Sequence, residues 1–597
     1  MSFQFTNVPA GQVHAQGSMA VEVDGLRLAL FSLDGEIYAT GNICTHAFAL
    51  LTDGHVENGC VECPLHQGLF DIRSGKAQGA PVTKDIATYA VKIDEGIVWV
   101  DTEPKQAKGA AGAGAARGPA QDLRRLVIVG AGQAGAEAAR AARANGFGGP
   151  ITLLGDEPHP PYERPPLSKD LLLGRTTLAD AHVFESGEVE TLNITLRLST
   201  PVAGIDRAGG AITLTDGERL PYDMLVLATG AGARRITLPG SDGVTLHYLR
   251  DAADADRLGA ALKTAKSVAV IGGGFIGMEL ASAARSLGAS ASVIEAQPRL
   301  LSRLLPPDAG AFMAWVAQQN DVALHLGQGV QSLSDQGVTL ADGTLVAADC
   351  IIVGIGAVPH DALAVAAGLE VAPGGGILVN AENRSSDPAI YALGDVAVQR
   401  NEITGAHRRM ESWQNARLSA ERVACAIAGR PQTEAELPWF WSDLFGGTLQ
   451  IVGELRTDLT CIRRDGEAPA FFCLDAQNRV IACIDFGDPA LLRLGRRLIA
   501  SGAPVDASAL ADPDYDLSQI EDDDMKMLPI EKRFVWPASG LNRVPDWAYT
   551  SQEIYDHEVE RIFHGKPWNY VALEAEIPNP GDYVRSNVGP TPVVAVR

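Results

Sequence analysis

The sequence predicts a multidomain chain: an all-β N-terminal domain, an α/β unit holding two parallel-sheet domains followed by an α+β domain, and a short α+β tail. Three observations predict it. Short apolar runs broken by Asp-Gly and Glu-Gly steps fill the first hundred residues. Two glycine triplets follow, each set between an apolar strand pattern and an Ala-rich helical pattern. Two stretches with little to bury divide the blocks. At 597 residues and 46% hydrophobic content, the chain can bury several cores on a scale of ~150 residues each.

The first seam, residues 104–121, is nearly all Ala, Gly, Pro and charge, and the second, residues 511–527, is acidic and poor in apolar residues. Both suit connectors. A formal charge of -24 disfavours nucleic acid, whose phosphates require basic patches. No apolar run reaches the ~18–20 residues of a membrane span, and Met1-Ser2-Phe3-Gln4-Phe5 has no signal-peptide character, so a soluble cytoplasmic protein is expected. Eight cysteines in such a setting suggest ligands or buried thiols and not a disulfide framework.

In residues 1–103, Asp24-Gly25, Asp34-Gly35 and Glu95-Gly96 are hairpin-turn steps between apolar runs. Cys44 and His46 stand on one loop, Cys63 and His66 on another. One thiolate and one imidazole from each loop is how a two-iron, two-sulfur cluster is held when His replaces Cys on one iron. Zinc is the alternative occupant. Cys60 offers a competing Cys-x-x-Cys with Cys63, which would strand Cys44 and His46; it reads as a buried thiol. Through "CTH", "LLTDG" and "CPLHQGLFD" the block resembles the Rieske ferredoxins of bacterial aromatic-ring oxygenase systems over its whole length. The respiratory Rieske proteins carry an added disulfide between the cluster loops. Ala49 and Leu65 stand at the corresponding positions here, which implies the lower-potential ferredoxin group.

The second block opens with the strand Leu126–Val129, then Gly130-x-Gly132-x-x-Gly135, a helix, a second strand, and Asp156 and Glu157. This order makes a dinucleotide-binding unit: the backbone reaches the pyrophosphate at the helix N-terminus and an acid takes the ribose hydroxyls. A second copy has Gly272, Gly274 and Gly277 after the strand Ser267–Ile271, with Glu295 closing the next strand. Two such sites imply two cofactors. Glu295 would accept from a free 2′-hydroxyl and repel a 2′-phosphate, favouring NADH over NADPH. Asp395, in "IYALGDVA", follows a strand and turn where a carboxylate can hold a flavin ribityl chain, so the first nucleotide reads as FAD.

Residues 124–510 resemble the FAD-dependent ferredoxin reductases of the same oxygenase systems and, more distantly, the apoptosis-inducing-factor-like proteins. The resemblance is carried by "PYERPPLSK", "LATGA", "GGGFIGMELA", "GIGAVPH" and "ESWQNA". It implies flavin contacts at Gly130, Ala131, Gly132, Gln133, Ala134 and Gly135, at Asp156 or Glu157, and at Arg164, Lys169, Val202, Arg250, Gly394, Asp395 and Glu411. Nicotinamide-nucleotide contacts are implied at Gly272, Gly274, Ile276, Gly277, Glu295 and Gly356. Lys169 would lie at the flavin N5 edge, and Trp413 near flavin and nicotinamide; these two are the catalytic candidates, with a helix cap for Lys169 and a core position for Trp413 as the alternatives.

"PYERPPLSK" holds no reactive Cys pair, and Cys350, Cys425, Cys461, Cys473 and Cys483 show no Cys-x-x-Cys or Cys-x4-Cys spacing. Electrons therefore leave by another route, which the first block supplies. The expected fold class is an all-β Rieske domain, then a two-dinucleotide-binding-domain flavoprotein with an α+β C-terminal domain, then a short α+β tail. The expected boundaries are 1–103 Rieske, 104–121 flexible linker, 122–245 and 366–410 FAD-binding, 246–365 NAD-binding, 411–510 reductase C-terminal domain, 511–527 acidic linker, and 528–597 tail. The linker would let the ferredoxin dock and swing out.

Residues 543–597 resemble the N-terminal stretch of a Rieske oxygenase large subunit, with a helix expected from Thr550-Ser551-Gln552-Glu553 onward and strands in "WNYVALEAEI" and "PVVAV". The expected activity is an NADH:ferredoxin oxidoreductase that feeds a terminal Rieske oxygenase in aromatic catabolism. A redox-sensing protein of the apoptosis-inducing-factor-like kind is the alternative, and a sirohaem nitrite reductase component is disfavoured for want of further clustered cysteines.

Overall fold

The computed structural model describes residues 3–46, 49–79, 82, 84–105, 122–400, 407–432, 436–456, 458–466, 468–517, 555–556, 558–559, 579–581, 583–588 and 591–596. Residues 1–515 form one compact unit and residues 516–597 a second.

The N-terminal domain is all β. Its six-stranded antiparallel sheet (Phe3–Pro9, Ile97–Pro104, Thr88–Asp94, Glu36–Gly41, Leu26–Leu33 and Ser18–Val23, in spatial order) lies beside a four-stranded sheet, His55–Glu57 to Ala77–Gly79. Asp24-Gly25, Asp34-Gly35 and Glu95-Gly96 all take positive φ at both residues, the twist that two-residue hairpins need. Val13, Leu28, Leu30 and Val98 fill one core; Phe31, Leu51, Val61 and Phe70 fill a second beneath the cluster loops.

A five-stranded parallel sheet follows, ordered Ile194–Arg197, Ile151–Leu154, Leu126–Val129, Met224–Leu227, Ile390–Ala392. The order reverses on either side of Leu126–Val129, and ligands of such sheets sit at that switch point. A second sheet, ordered Leu246–His247, Cys350–Val353, Ser267–Ile271, Ser290–Glu295, Val322–Leu326, repeats the design. The helix Gln133–Ala144 presents Ala136, Ala138, Ala139 and Ala142, small enough for close packing on the sheet and on the helix Trp413–Ala428. A five-stranded antiparallel sheet, Trp439–Leu444 through Val480–Asp485, and the helix Pro489–Ser501 complete the unit. Its Leu449, Ile451 and Phe471 share a core with Met278, Leu280 and Val293 of the second parallel-sheet domain.

Three expectations change. Cys461 and Cys473 form a disulfide, although no spacing motif marked them. They lie twelve residues apart yet directly opposite in the register of Thr460–Arg464 with Ala470–Leu474, so their side chains meet across the ladder. Cys60 is half-buried, beside Asp71 and Arg73, and burial raises its thiol pKa. The start of the acidic seam is held in place: the Arg464 guanidinium donates to the carbonyls of Leu510, Pro513 and Tyr515 at 3.4, 2.9 and 3.1 Å. Residues 106–121 and 518–554 lie outside the described residues.

In the second unit, "PVVAV" lies in the strand Thr591–Val596, paired antiparallel with Tyr583–Val588. Tyr555, Asp556 and Glu558 are helical; the rest of the expected helix and "WNYVALEAEI" lie outside the described residues. Among the described residues no helix is long and apolar enough to cross a membrane.

Candidate functional site

The carboxyl ends of both parallel sheets open into one cavity of about 1100 Å³. Its wall carries Gly130, Ala131, Gly132, Gln133 and Ala134 from the first glycine turn, then Asp156, Glu157, Arg164 and Lys169. From the second nucleotide unit it carries Gly272, Gly274, Ile276, Glu295 and Gly356. Arg250, Gly394, Asp395, Glu411 and Trp413 close it. Three expected contacts are elsewhere. Gly135 and Gly277 sit one helical turn inside, where a Cβ would meet the carbonyls of Gly130 and Gly272 at 2.0 Å; they serve helix–strand packing. Val202 begins a strand of a separate three-stranded sheet and is not on the cavity wall.

The wall fits nucleotides. Gly130 and Gly272 take φ of +110° and +113° with a carbonyl where a Cβ would stand, whereas the Cβ positions of Gly132 and Gly274 face open space, as a turn that lets pyrophosphate approach requires. Arg250 bonds Asp395 at 2.6 Å through Nη2, while its buried Nε has no partner among the described residues, leaving a cationic donor unmet on the wall. Glu295 accepts the N–H groups of Gly273 and Gln297 at 2.7 and 2.8 Å, which fixes the carboxylate at the strand end. Glu157 accepts from Tyr162 Oη at 2.6 Å, and Asp156 is exposed.

Lys169 is oriented by two carboxylates. Its Nζ lies 3.1 Å from Glu279 and 3.8 Å from Asp443. Glu279 is buried and also accepts from the Ser168 hydroxyl and from Ser442 Oγ at 2.6 Å. Trp413, Trp439 and Trp441 form the wall next to Lys169. Trp439 and Trp441 stack at 4.7 Å, and Trp413 meets Trp441 at 6.0 Å.

Trp441 also touches the N-terminal domain. Its ring centroid lies 5.7 Å from those of both His46 and His66. The Cys/His loops therefore abut the cavity wall with one indole between. Around this contact, His66 Nε2 lies 3.1 Å from Asp443 Oδ1, Arg493 pairs with Glu62 at 2.9 Å, and Gln450 Nε2 donates to the Leu65 carbonyl at 3.5 Å.

Among the described residues no three His, Cys, Asp or Glu side chains gather around a single metal position. The four expected ligands meet in pairs instead. Cys44 and Cys63 are in side-chain hydrogen-bond contact, and the Nδ1 atoms of His46 and His66 are 3.1 Å apart. Two thiols on one side and two imidazoles on the other suit a two-iron cluster with one pair per iron. The Cys44 hydrogen bond, together with burial, pushes the Cys63 thiol far up, and burial together with His66 pulls His46 down to about 3. A metal takes its ligands as thiolate and neutral imidazole; the histidine is already neutral. Burial works to raise the Asp443 carboxyl, but His66 and Lys169 hold it at about 2, so it is an anion at neutral pH.

Glu279, Trp439, Trp441, Asp443 and Arg493 were not anticipated from sequence. The density of aromatics in "WFWSDLFGG" was the available signal for the tryptophan wall; nothing local marks the others.

Comparisons with known proteins find families for three successive parts of the chain. The family described as Rieske [2Fe-2S] domain matches residues 5–90. Pyridine nucleotide-disulphide oxidoreductase matches residues 124–420, and Reductase C-terminal matches residues 439–521. The chain is 37% identical over 396 residues to the ferredoxin–NAD(+) reductase component of the p-cumate 2,3-dioxygenase system of Pseudomonas putida, covering 66% of this chain and 97% of that protein. It is 40% identical over 395 residues to the corresponding component of the anthranilate 1,2-dioxygenase system of Burkholderia cepacia, covering 65% and 97%. Among solved structures, the covalent putidaredoxin reductase–putidaredoxin complex superposes with a TM-score of 0.64 at 32% identity, covering 67% of this chain and 98% of that one.

Proposed function

Because the chain belongs to the pyridine nucleotide-disulphide oxidoreductase family, in its ferredoxin–NAD(+) reductase group, with a Rieske domain fused in front, we propose that it is an NADH:ferredoxin oxidoreductase that reduces its own ferredoxin, which then serves a terminal aromatic-ring oxygenase. FAD, when bound, supplies the change from two-electron to one-electron chemistry. The observation that carries the reading is Trp441, on the cavity wall and against both imidazoles at once.

The residues divide the work. The first glycine turn and Arg250 with Asp395 would hold the flavin nucleotide, and the second turn with Glu295 would hold NADH. Lys169, fixed by Glu279, would face the flavin and favour its reduced, more negative form. Trp413 would order the wall where nicotinamide and flavin meet. Cys44, His46, Cys63 and His66 would hold the cluster, the two histidines being the ligands that meet Trp441 of the cavity wall. The boundaries 1–103, 122–245 with 366–410, 246–365 and 411–510 assign the cluster, FAD, NAD and docking parts, and 528–597 a separate tail. The coupling of cluster domain to flavin cavity favours turnover over a sensing role.

The test is anaerobic single turnover of the full chain with NADH. Flavin absorbance should bleach first and cluster absorbance second, within one molecule. A cluster that stays oxidised beside fully reduced flavin would refute the proposal.

A further inference from the structure

Asp443 belongs to the reductase C-terminal domain, yet it reaches a cluster-side histidine 377 residues away in sequence. His46 and His66 face each other through Nδ1, so the metal side of each ring is Nδ1. A neutral imidazole bound there keeps its proton on Nε2. That N–H of His66, a residue only 4% exposed, points at Asp443 Oδ1 at 3.1 Å. The same oxygen accepts from Thr448 Oγ1 at 2.8 Å. The facing charges are Lys169, 3.8 Å from Oδ2, and Glu279, which Lys169 contacts more closely at 3.1 Å. One cation between two carboxylates leaves a net negative charge beside the ring.

We propose that Asp443 is a positioning residue that sets docking and cluster reduction against each other, so that the N-terminal domain binds its reductase more tightly while oxidised than after it has received an electron. The inference rests on the electron-transfer reading above. A carboxylate that accepts from the outer nitrogen of a ligating histidine makes that ligand more basic and fixes its orientation. One electron, originating from NADH, enters the cluster and no proton moves at His66. The added negative charge then meets the Asp443 anion. The docked cluster is therefore harder to reduce than the undocked one, and by linkage its reduction weakens docking by the same factor. The contacts of Glu62 with Arg493 and of Leu65 with Gln450 involve no cluster ligand and hold the domain in either state.

The experiment is a redox titration of the full chain, following the cluster by its spectroscopic signal, in wild type, Asp443→Asn and Thr448→Val. Asp443→Asn should favour the reduced cluster at least threefold, ~28 mV for one electron. Thr448→Val leaves the whole oxygen to His66 and should move the midpoint the opposite way. Hydrogen exchange at residues 447–453 should rise on reduction in wild type and lose that rise in Asp443→Asn. A cluster present at the wild-type midpoint in both variants overturns the inference. A chain with no Rieske signal at all overturns the electron-transfer reading beneath it. Should Asp443→Asn fail to load a cluster, the sign of the Thr448→Val shift decides alone.

Discussion

Arg493→Glu isolates docking from chemistry. Arg493 and Glu62 meet at 2.9 Å with side chains 21% and 15% exposed, so the pair is largely shielded from solvent. Removing one member of such a pair costs at least about 2 kcal/mol, chiefly because the other charge stays desolvated, and reversing the sign adds repulsion. At about 1.4 kcal/mol per decade, the docked state loses at least ~30-fold. The two domains belong to one chain in wild type and variant alike, so the effective concentration of one for the other, of order millimolar, is the same in both and does not restore that factor. Stopped-flow mixing with NADH should show flavin bleaching at the wild-type rate and cluster bleaching slowed by about that factor. Added salt, which screens a shielded pair much less than an exposed one, should slow the wild type far less than the substitution does. The exchanged pair Glu62→Arg with Arg493→Glu should recover most of the loss, since the two substitutions then couple. Cluster reduction in Arg493→Glu within twofold of wild type would refute the interface as the route of transfer.

His46→Ala should abolish the Rieske absorbance while FAD stays bound, and Cys60→Ser should change neither, both read from the visible spectrum. NADH should outperform NADPH, and Glu295→Gln should narrow the difference, because the carboxylate fixed by Gly273 and Gln297 repels a 2′-phosphate; equal kcat/KM for both nucleotides in wild type would count against it. Burial lifts the Asp485 carboxyl to about 7, above its unfolded value of ~3.9. Its contribution to stability is therefore fully present below pH ~4 and is lost as pH rises through about 7, a loss of up to ~4 kcal/mol. Urea midpoints should fall between pH 5 and 8 in wild type, and Asp485→Asn should flatten that fall.

What could be read from sequence was local. The glycine turns and the strands Leu126–Val129 and Ser267–Ile271 are each specified within about thirty residues, because tight turns and apolar runs constrain the backbone where they stand. The positive-φ hairpin steps of the first domain are legible for the same reason. Trp441 and Asp443 gain their roles only when a C-terminal strand meets loops some 380 residues earlier, and no periodicity encodes that meeting. The Cys461–Cys473 bond depends on strand register, which is a tertiary property. Only the resemblance implies Val202, and its strand lies off the cavity.

The imidazole face of the cluster domain looks inward, onto Trp441. While that contact stands, no outside acceptor can approach the imidazoles from the side that Trp441 covers. A hydride delivers two electrons and a two-iron cluster takes one, so one NADH supplies more than the cluster holds at a time. Were an outside acceptor to need that same face, throughput would have a ceiling set by dwell time: with acceptor and NADH both abundant, adding more of either would leave the rate unchanged.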